Sequence, residues 1–331
     1  MYNVTALKAE LGDYARTAHY REIYTQSMYT GTGEALQAEH LFDRWFINDE
    51  QDFARAEFTA TASAYDVTWD AVPAPTKFDG DRLKLRDAKM DVNLDTVSLL
   101  NTWLNLHPDG QEAHKFFQTI TAKDIPFAKW YYTGQLAKIM EQFKLFAMFQ
   151  GVYDPAFDKD MSKSVDGILK IVADAITAND IPVAQRINTG VLSGSGLVFE
   201  KLEDMGKKIP LRHLNTELFA LCSLNVYDEY NEDFQTANSG ANALINNKYK
   251  RTRLRGRSNI TLVPTPEMGV TDTVIITRPK NFIWGSDVRG QKGPQAIVGY
   301  GNSPEELKVR FKWSAGFAVR RYDDIIVNTT V

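Results

Sequence analysis

The stretch ELKVRFKWSAGFAVRRYDDIIV, from Glu306 to Val327, constrains this chain more than any other because its first half alternates without a slip. Leu307, Val309, Phe311 and Trp313 fall on one face of an extended strand, and Lys308, Arg310 and Lys312 fall on the other. That is the period of a strand with one face in a core and one towards water or a neighbour. A one-residue slip would send every apolar side chain to the wrong face, so the receiving sheet is fixed in register. Gly316 predicts a break, a bend or a point of close approach, and Asp324 to Val327 predict a second strand.

A half-buried sheet needs a cover, and the middle of the chain supplies one. Asp124 can cap a helix, Pro126 sits in its first turn where a missing N–H is harmless, and Gly151 can close it in the left-handed conformation. At ~1.5 Å per residue this helix would span roughly 37 Å. Its second half, KIMEQFKLFAMFQ, is apolar on most faces, which predicts a core helix buried from several sides.

The N-terminal third reads as extensions. Tyr20, Tyr24 and Met28 share a helical face that TGTG ends, and Leu41/Trp45 with Phe42/Phe46 form i,i+4 pairs of a second short helix. These pieces are either an arm docked on another surface or a cap on the main core. FTATASAYDVTWDAV, the turn-rich PAPTKFDGD and RLKLRDAKMDVNL predict a long β-hairpin with an irregular tip. One face of that hairpin is Ala, Thr or charged, and a lone two-stranded ribbon is marginal in water, so it needs support from elsewhere.

A helix is expected from Asp95, with Val97, Leu100 and Leu104 on one face, ending at HPDG. Another is expected near Gly167 to Ala178, a helix or strand around Leu218 to Tyr227, and strands from Asn259 onward. The fold class is α+β. With 331 residues the chain exceeds one ordinary domain. A formal charge of −4 excludes a surface built wholly for nucleic acid, and a single cysteine, Cys222 in FALCSL, excludes an intrachain disulfide and reads as simple burial. There is no basic start followed by an apolar core and no run of 18 apolar residues, so neither export by such a signal nor a membrane span is expected.

Motifs for chemistry are sparse. Gly190, Gly194 and Gly196 lie in TGVLSGSGLVFEKL, but the spacing of a dinucleotide fingerprint is incomplete and no phosphate-binding Lys follows, so a turning loop is the better reading than a nucleotide site. The histidines, His19, His40, His107, His114 and His213, show no HExxH or i,i+4 pair, and no GxSxG elbow occurs. DEYNED, Asp228 to Asp233, lacks the alternating ligands and glycine of a calcium loop and reads as a solvated acidic face. NKYKRTRLRGRSN gathers Lys248, Lys250, Arg251, Arg253, Arg255 and Arg257. It suits either phosphates or an acidic neighbouring subunit, and the acidic balance of the chain favours the subunit.

The succession of aromatic arm, long hairpin, long helix, GVYDPAFDKDMSKSVDGIL, mixed middle, TVIITRPKNFIWGSDV and LKVRFKWSAGFAVRRYDDIIV resembles the tailed-phage major capsid proteins of the Hong Kong ninety-seven fold. Gly151, Pro155, Gly167 and Ile168 follow the family's Gly-to-Pro-to-Gly-Ile order after its spine helix, and Leu307 to Trp313, Gly316 and Asp324 to Val327 follow its closing strand, glycine and strand.

The resemblance implies an N-terminal arm at 1–52 and an extended hairpin (E-loop) at 53–92. A peripheral domain would take 93–165 with 271–331, and an axial domain 166–270. It implies pentamers and hexamers of an icosahedral shell around double-stranded DNA contacted non-specifically. Separate scaffold and portal proteins would be the partners, with decoration proteins left open, and with assembly in the host cytoplasm, no enzyme activity, no cofactor and no membrane. Tyr20, Tyr24, Trp45, Phe46, Trp69 and Phe78 become the expected arm and hairpin contacts. An encapsulin-like compartment shares that architecture, and a nucleotide-binding enzyme using residues 190–196 is the rival of another class.

Overall fold

The computed structural model describes residues 4–29, 41–47, 50–57, 77–95, 126–156, 160–237, 252–254, 257–287, 294–301 and 306–329. Two helices open the chain, α1 (Val4–Ala15) and α2 (Ala18–Tyr29), followed by strands β1 (Phe42–Phe46), β2 (Glu50–Glu57), β3 (Lys77–Lys84) and β4 (Arg86–Asp95). The spine helix α3 (Pro126–Phe143) runs on into a π-helical turn, Lys144–Met148. Next come α4 (Ile168–Ala178), β5 (Arg186–Asn188), α5 (Val198–Lys207), β6 (Leu218–Cys222), α6 (Leu224–Ala237), β7 (Thr252–Arg253) and β8 (Ile260–Pro264). The remaining strands are β9 (Ile275–Thr277), β10 (Phe282–Ser286), β11 (Gln295–Tyr300), β12 (Glu306–Val319) and β13 (Ile326–Thr329).

Alternation builds the main sheet as expected. Leu307, Val309, Phe311 and Trp313 are buried while Arg310 and Lys312 face out. Strand β12 is the axis of this five-stranded sheet: β4 pairs along one side, β10 and β11 pair antiparallel along the other, and β1 adds parallel to β10. The spine helix covers the inner face, where Tyr131, Tyr132, Leu136 and Phe143 join Phe311, Trp284 and Phe317 in the largest core.

The expected break at Gly316 does not occur, for β12 is one strand of 14 residues. Gly316 lies opposite Gly285 in the β10–β12 ladder, and the two leave a trough on the outer face. A Cβ on Gly316 would sit 2.3 Å from the Lys84 carbonyl oxygen, and one on Gly285 would sit 2.7 Å from Leu83 Cδ2. The return of the hairpin, Leu83 to Leu85, lies in that trough and forms a small second-face core with Ile47, Ile283 and Ala318. This close approach buries the second half of β12 on both faces.

Three further expectations are corrected. The helix expected over Leu41 to Phe46 is strand β1 instead: Phe42 meets Phe149, Phe282, Trp284 and Phe317, and parallel pairing with β10 outweighs the local i,i+4 spacing. The hairpin pairs Glu50–Glu57 with Lys77–Lys84, so Lys77 to Gly80, expected in the tip, belong to the returning strand, while Arg86–Asp95 leaves the hairpin for the main sheet. Gly151 is not among the glycines with positive φ; it is needed because a Cβ there would stand 2.3 Å from Val165 O and 2.5 Å from Ala147 O. Asp124, the helix from Val97 to Leu104 and the hairpin segment 58–76 lie outside the described residues.

The second sheet has the order β5-β13-β9-β6-β8-β7, with its own core of Phe199, Leu202, Leu218, Tyr230, Ile260 and Leu262 beneath α5 and α6. The stretch around Leu218 to Tyr227 is both a strand and a helix, β6 leading into α6. Strands β9 and β13 pair with β6 and β5, so residues 271–331 are shared between the two sheets.

Candidate assembly surfaces

The arm helices dock on their own chain. Tyr132 donates its hydroxyl to the Leu11 carbonyl at 2.9 Å, its ring stacks on Tyr14 with centroids 5.8 Å apart, and Tyr20 meets it edge-on at 5.2 Å. Tyr20 and Tyr24 are buried, and burial raises the pKa of the Tyr20, Tyr131 and Tyr132 hydroxyls far above the ordinary value. Strand β11 is tied to α1 as well, with Lys8 lying 3.8 Å over the Tyr300 ring. Trp45 is half-buried, donates to Asp43 at 3.1 Å and lies under Arg320, whereas Phe46 is 54% exposed. Phe78 lies in β3 opposite Ala56, and Trp69 is outside the described residues.

The end of the spine helix shows a feature that sequence reading missed. The π-helical turn carries Lys144 inward, where it is buried beside Glu267, and turns Leu145 and Phe146 outward, so the helix is not buried from every side. Desolvation depresses the Lys144 ammonium to about 8 against the pull of Glu267 and Glu141, and desolvation raises the Glu267 carboxyl above its ordinary range. Both shifts point towards neutral forms, the signature of a pair taken out of water. Gln150 completes this junction by donating to the Glu267 carbonyl at 3.0 Å.

Behind that junction two backbone segments touch. Gly167 N–H donates to Gly151 O at 2.8 Å and Leu169 N–H to Phe149 O at 3.0 Å, and a Cβ on Gly167 would lie 2.5 Å from Phe149 O. The Gly151 and Gly167 positions quoted for the family resemblance are therefore the two sides of one close crossing between the spine helix and α4.

The glycine loop is a concave run of backbone N–H groups already occupied by this chain's own carboxylates. Gly190, Gly194 and Gly196 have φ of +62°, +69° and +64°. Asp272 accepts from Leu192 N–H at 3.1 Å and Ser193 N–H at 3.3 Å, and also from the Ser193 hydroxyl. Glu229 accepts from Gly194 N–H at 2.8 Å, and Asp233 accepts from Val198 N–H at 2.7 Å at the start of α5. A phosphate would have to displace these anions and overcome their charge. DEYNED is thus only partly a solvated face: Asp228 and Glu232 are exposed, while Glu229 and Asp233 fasten the loop. The pairing of acidic helix with glycine loop spans 35 residues in sequence, and no short motif announces it.

Of the basic segment, Arg253 is exposed on the edge strand β7, and Arg257 is half-buried with its Cγ 3.5 Å from where a Gly206 Cβ would stand. Lys248, Lys250, Arg251 and Arg255 lie outside the described residues. Cys222 is fully buried, as expected, and burial pushes its thiol far up. Among the described residues no cluster of three or more His, Cys, Asp or Glu is placed to hold a metal, and no helix is long and apolar enough to cross a membrane.

No protein-family model matches the sequence, and no curated protein matches it. Solved structures do. A chain of the satellite phage P4 procapsid including size determination (Sid) protein superposes with TM-score 0.54 at 12% identity, over 87% of this chain and 92% of that one. A chain of the capsid of an empty GTA particle superposes at 0.50 and 8% identity, over 90% and 94%. A chain of the holo-SrpI encapsulin complex from Synechococcus elongatus PCC 7942 follows at 0.46 and 9% identity, over 93% and 94%, too loose a likeness to argue from.

The fold is accordingly that of phage capsid subunits. It is the Hong Kong ninety-seven fold that the order of sequence elements resembles.

Proposed function

We propose that this chain is the major capsid protein of a tailed phage, a subunit that assembles into pentamers and hexamers of a closed shell around double-stranded DNA. The observation that carries this reading is the superposition on the P4 procapsid chain across nearly the whole length of both. The glycine loop fits a structural subunit better than a nucleotide-binding enzyme, because Asp272 and Glu229 already fill the N–H groups that a phosphate would use. In this reading 1–52 is the arm, 53–92 the extended hairpin, 93–165 with 271–331 the peripheral domain and 166–270 the axial domain.

Self-association is expected to carry the function, because at ~25 cal/mol per Å² even modest apolar contacts become decisive when repeated around a closed assembly. Exposed Phe46, Leu145 and Phe146 are candidates for that burial. Separate scaffold and portal proteins are the expected partners, with assembly in the host cytoplasm.

Electron microscopy of the chain expressed with its neighbouring genes tests the reading. Closed shells that protect DNA from nuclease are expected; a persistent monomer would overturn it, and shells filled with a protein cargo would assign the encapsulin-like compartment instead. For the basic segment we infer a subunit contact. Replacing Arg251, Arg253 and Arg255 by Gln should reduce capsomers more than DNA retention, and normal shells with poor packaging would reverse that inference.

A further inference from the structure

Two of the chain's crossings between its two larger sheets are clamped together. Residues 278–281 lead from β9 to β10, and residues 320–325 lead from β12 to β13. Asn281 holds the pair: its amide donates to Arg321 O at 3.0 Å and Thr277 Oγ1 at 2.9 Å, its side-chain oxygen accepts from Arg321 N–H at 3.0 Å, and its carbonyl accepts from Arg320 N–H at 2.8 Å. Arg278 then pairs with Asp324 across the same junction.

Against this clamp lies His213, in the short turn Leu211–His213 that precedes β6. Its side chain is only 4% exposed, like that of Asp324, and its Nε2 lies 3.4 Å from Asp324 Oδ1. The same nitrogen receives the Arg212 Nε–H at 2.9 Å, which only an unprotonated Nε2 can accept. Arg212 also donates to the Asp323 carbonyl, which Gln185 Nε2 meets at 2.6 Å. The charged groups facing the imidazole are therefore Asp324 from the crossing, Arg212 from its own turn and Arg278 from the end of β9.

We propose that His213 is a proton-operated latch on the twin crossing: the neutral imidazole holds Arg212 against the crossing, and protonation expels Arg212 and loosens the 320–325 segment. The step is a proton transfer from hydronium to Nε2: an N–H bond forms, an O–H bond of hydronium breaks to leave water, and the Arg212 hydrogen bond to Nε2 is lost. The new N–H faces the Arg212 N–H, donor against donor, and finds its acceptor in Asp324, which already neutralises Arg278. Three cations then share two carboxylates, those of Asp323 and Asp324. Arg212, with half its side chain in water, is the group free to leave.

Burial and the two guanidinium groups hold the imidazole's proton affinity below its ordinary value, outweighing Asp324. Neutral His213 thus prevails at pH 7, and release falls below the ordinary histidine range of about 6.5. The unfolded chain takes up this proton at higher pH than the folded one, so the stability tied to neutral His213 is complete above about pH 6.5 and declines as pH falls.

Hydrogen exchange of the full chain, corrected for intrinsic rates, tests the latch. Protection of the Asp324 and Ile325 amides should fall several-fold on acidification from pH 7.5 to pH 5. His213→Gln should make that protection independent of pH between 7.5 and 5. Arg212→Gln, at an exposed position, removes the group that the latch holds, so it should lower that protection already at pH 7.5 and leave little further fall at pH 5. A fall that persists undiminished in His213→Gln or in Arg212→Gln would overturn the proposal. The readout is local to the crossing and does not depend on whether the chain forms shells.

Discussion

Glycine serves the two sheets of this molecule for opposite reasons. In the layer of the main sheet and spine helix, Gly151, Gly167, Gly285 and Gly316 show no left-handed φ, but a Cβ on any of them would meet another part of the chain at 2.7 Å or less. In the second layer, Gly190, Gly194 and Gly196 have left-handed φ, and a Cβ there would meet nothing within 4 Å. The first set marks places where space is exhausted, against backbone at Gly151, Gly167 and Gly316 and against the Leu83 side chain at Gly285. The second marks a loop whose shape is set by its torsions and held by carboxylates. The main layer therefore resists an added atom at these four glycines, whereas the loop is sensitive to lost hydrogen bonds.

The sharpest way to break that contrast is to add one methyl group to the tight layer. Gly151→Ala places a carbon against two carbonyl oxygens, neither of which can rotate away, and should cost about 3 kcal/mol or more. Gly316→Ala should behave alike, since the opposing atom is again backbone, Lys84 O. Urea unfolding midpoints, or the yield of folded chain, read the effect; a Gly151→Ala variant with a wild-type midpoint would remove close approach as the reason for this glycine.

A second test addresses the joint between the layers. Lys144→Met leaves Glu267 buried without its cation and should cost about 2 kcal/mol near pH 7, whereas Lys144→Met with Glu267→Gln should recover most of that loss. The pH dependence has a definite sign. Between pH about 8 and the ordinary 10.5, the unfolded chain keeps a proton on Lys144 that the folded chain has released. The contribution of this group to stability therefore rises with pH through that window. The difference in unfolding free energy between wild type and Lys144→Met should show this slope, and a flat difference would contradict the buried ammonium.

How much of this was legible in the sequence follows from the range of the interactions. Alternation along β12 was readable because each residue's face depends only on its neighbours in the strand, and the Pro126 helix start because φ is local. The hairpin was readable as a hairpin, but its register was not, because in Glu50 to Glu57 the apolar Phe53, Ala54 and Ala56 fall on both faces of the strand and name neither. Strand β1 failed for a related reason: Leu41/Trp45 and Phe42/Phe46 fit helical spacing, and only the distant partner β10 decides otherwise. Gly316 was seen as either a break or a close approach, and Lys84 settles it from more than 200 residues away. The charge junctions Lys144–Glu267, Asp272 with the glycine loop, and His213–Asp324 left no trace in sequence, since each joins groups separated by intervening elements.

The loop provides the smaller effects and the finest test. Asp272→Asn keeps the side chain's size but replaces one acceptor oxygen by a donor facing N–H groups, so one or both of the Leu192 and Ser193 bonds is lost, at about 1–2 kcal/mol. Gly194→Ala should cost only about 1 kcal/mol, the ordinary penalty for a side chain in the left-handed region, because there is room for the methyl group. Hydrogen exchange of the loop amides separates the two cases. Asp272→Asn should raise exchange at Leu192 and Ser193, whereas Gly194→Ala should raise it most at Gly196 and residue 194 while the Gly151–Gly167 crossing stays protected. If Gly194→Ala instead lowered the global midpoint as far as Gly151→Ala, the loop would have to be packed as tightly as the spine crossing, and the distinction between glycines needed for space and glycines needed for shape would fail.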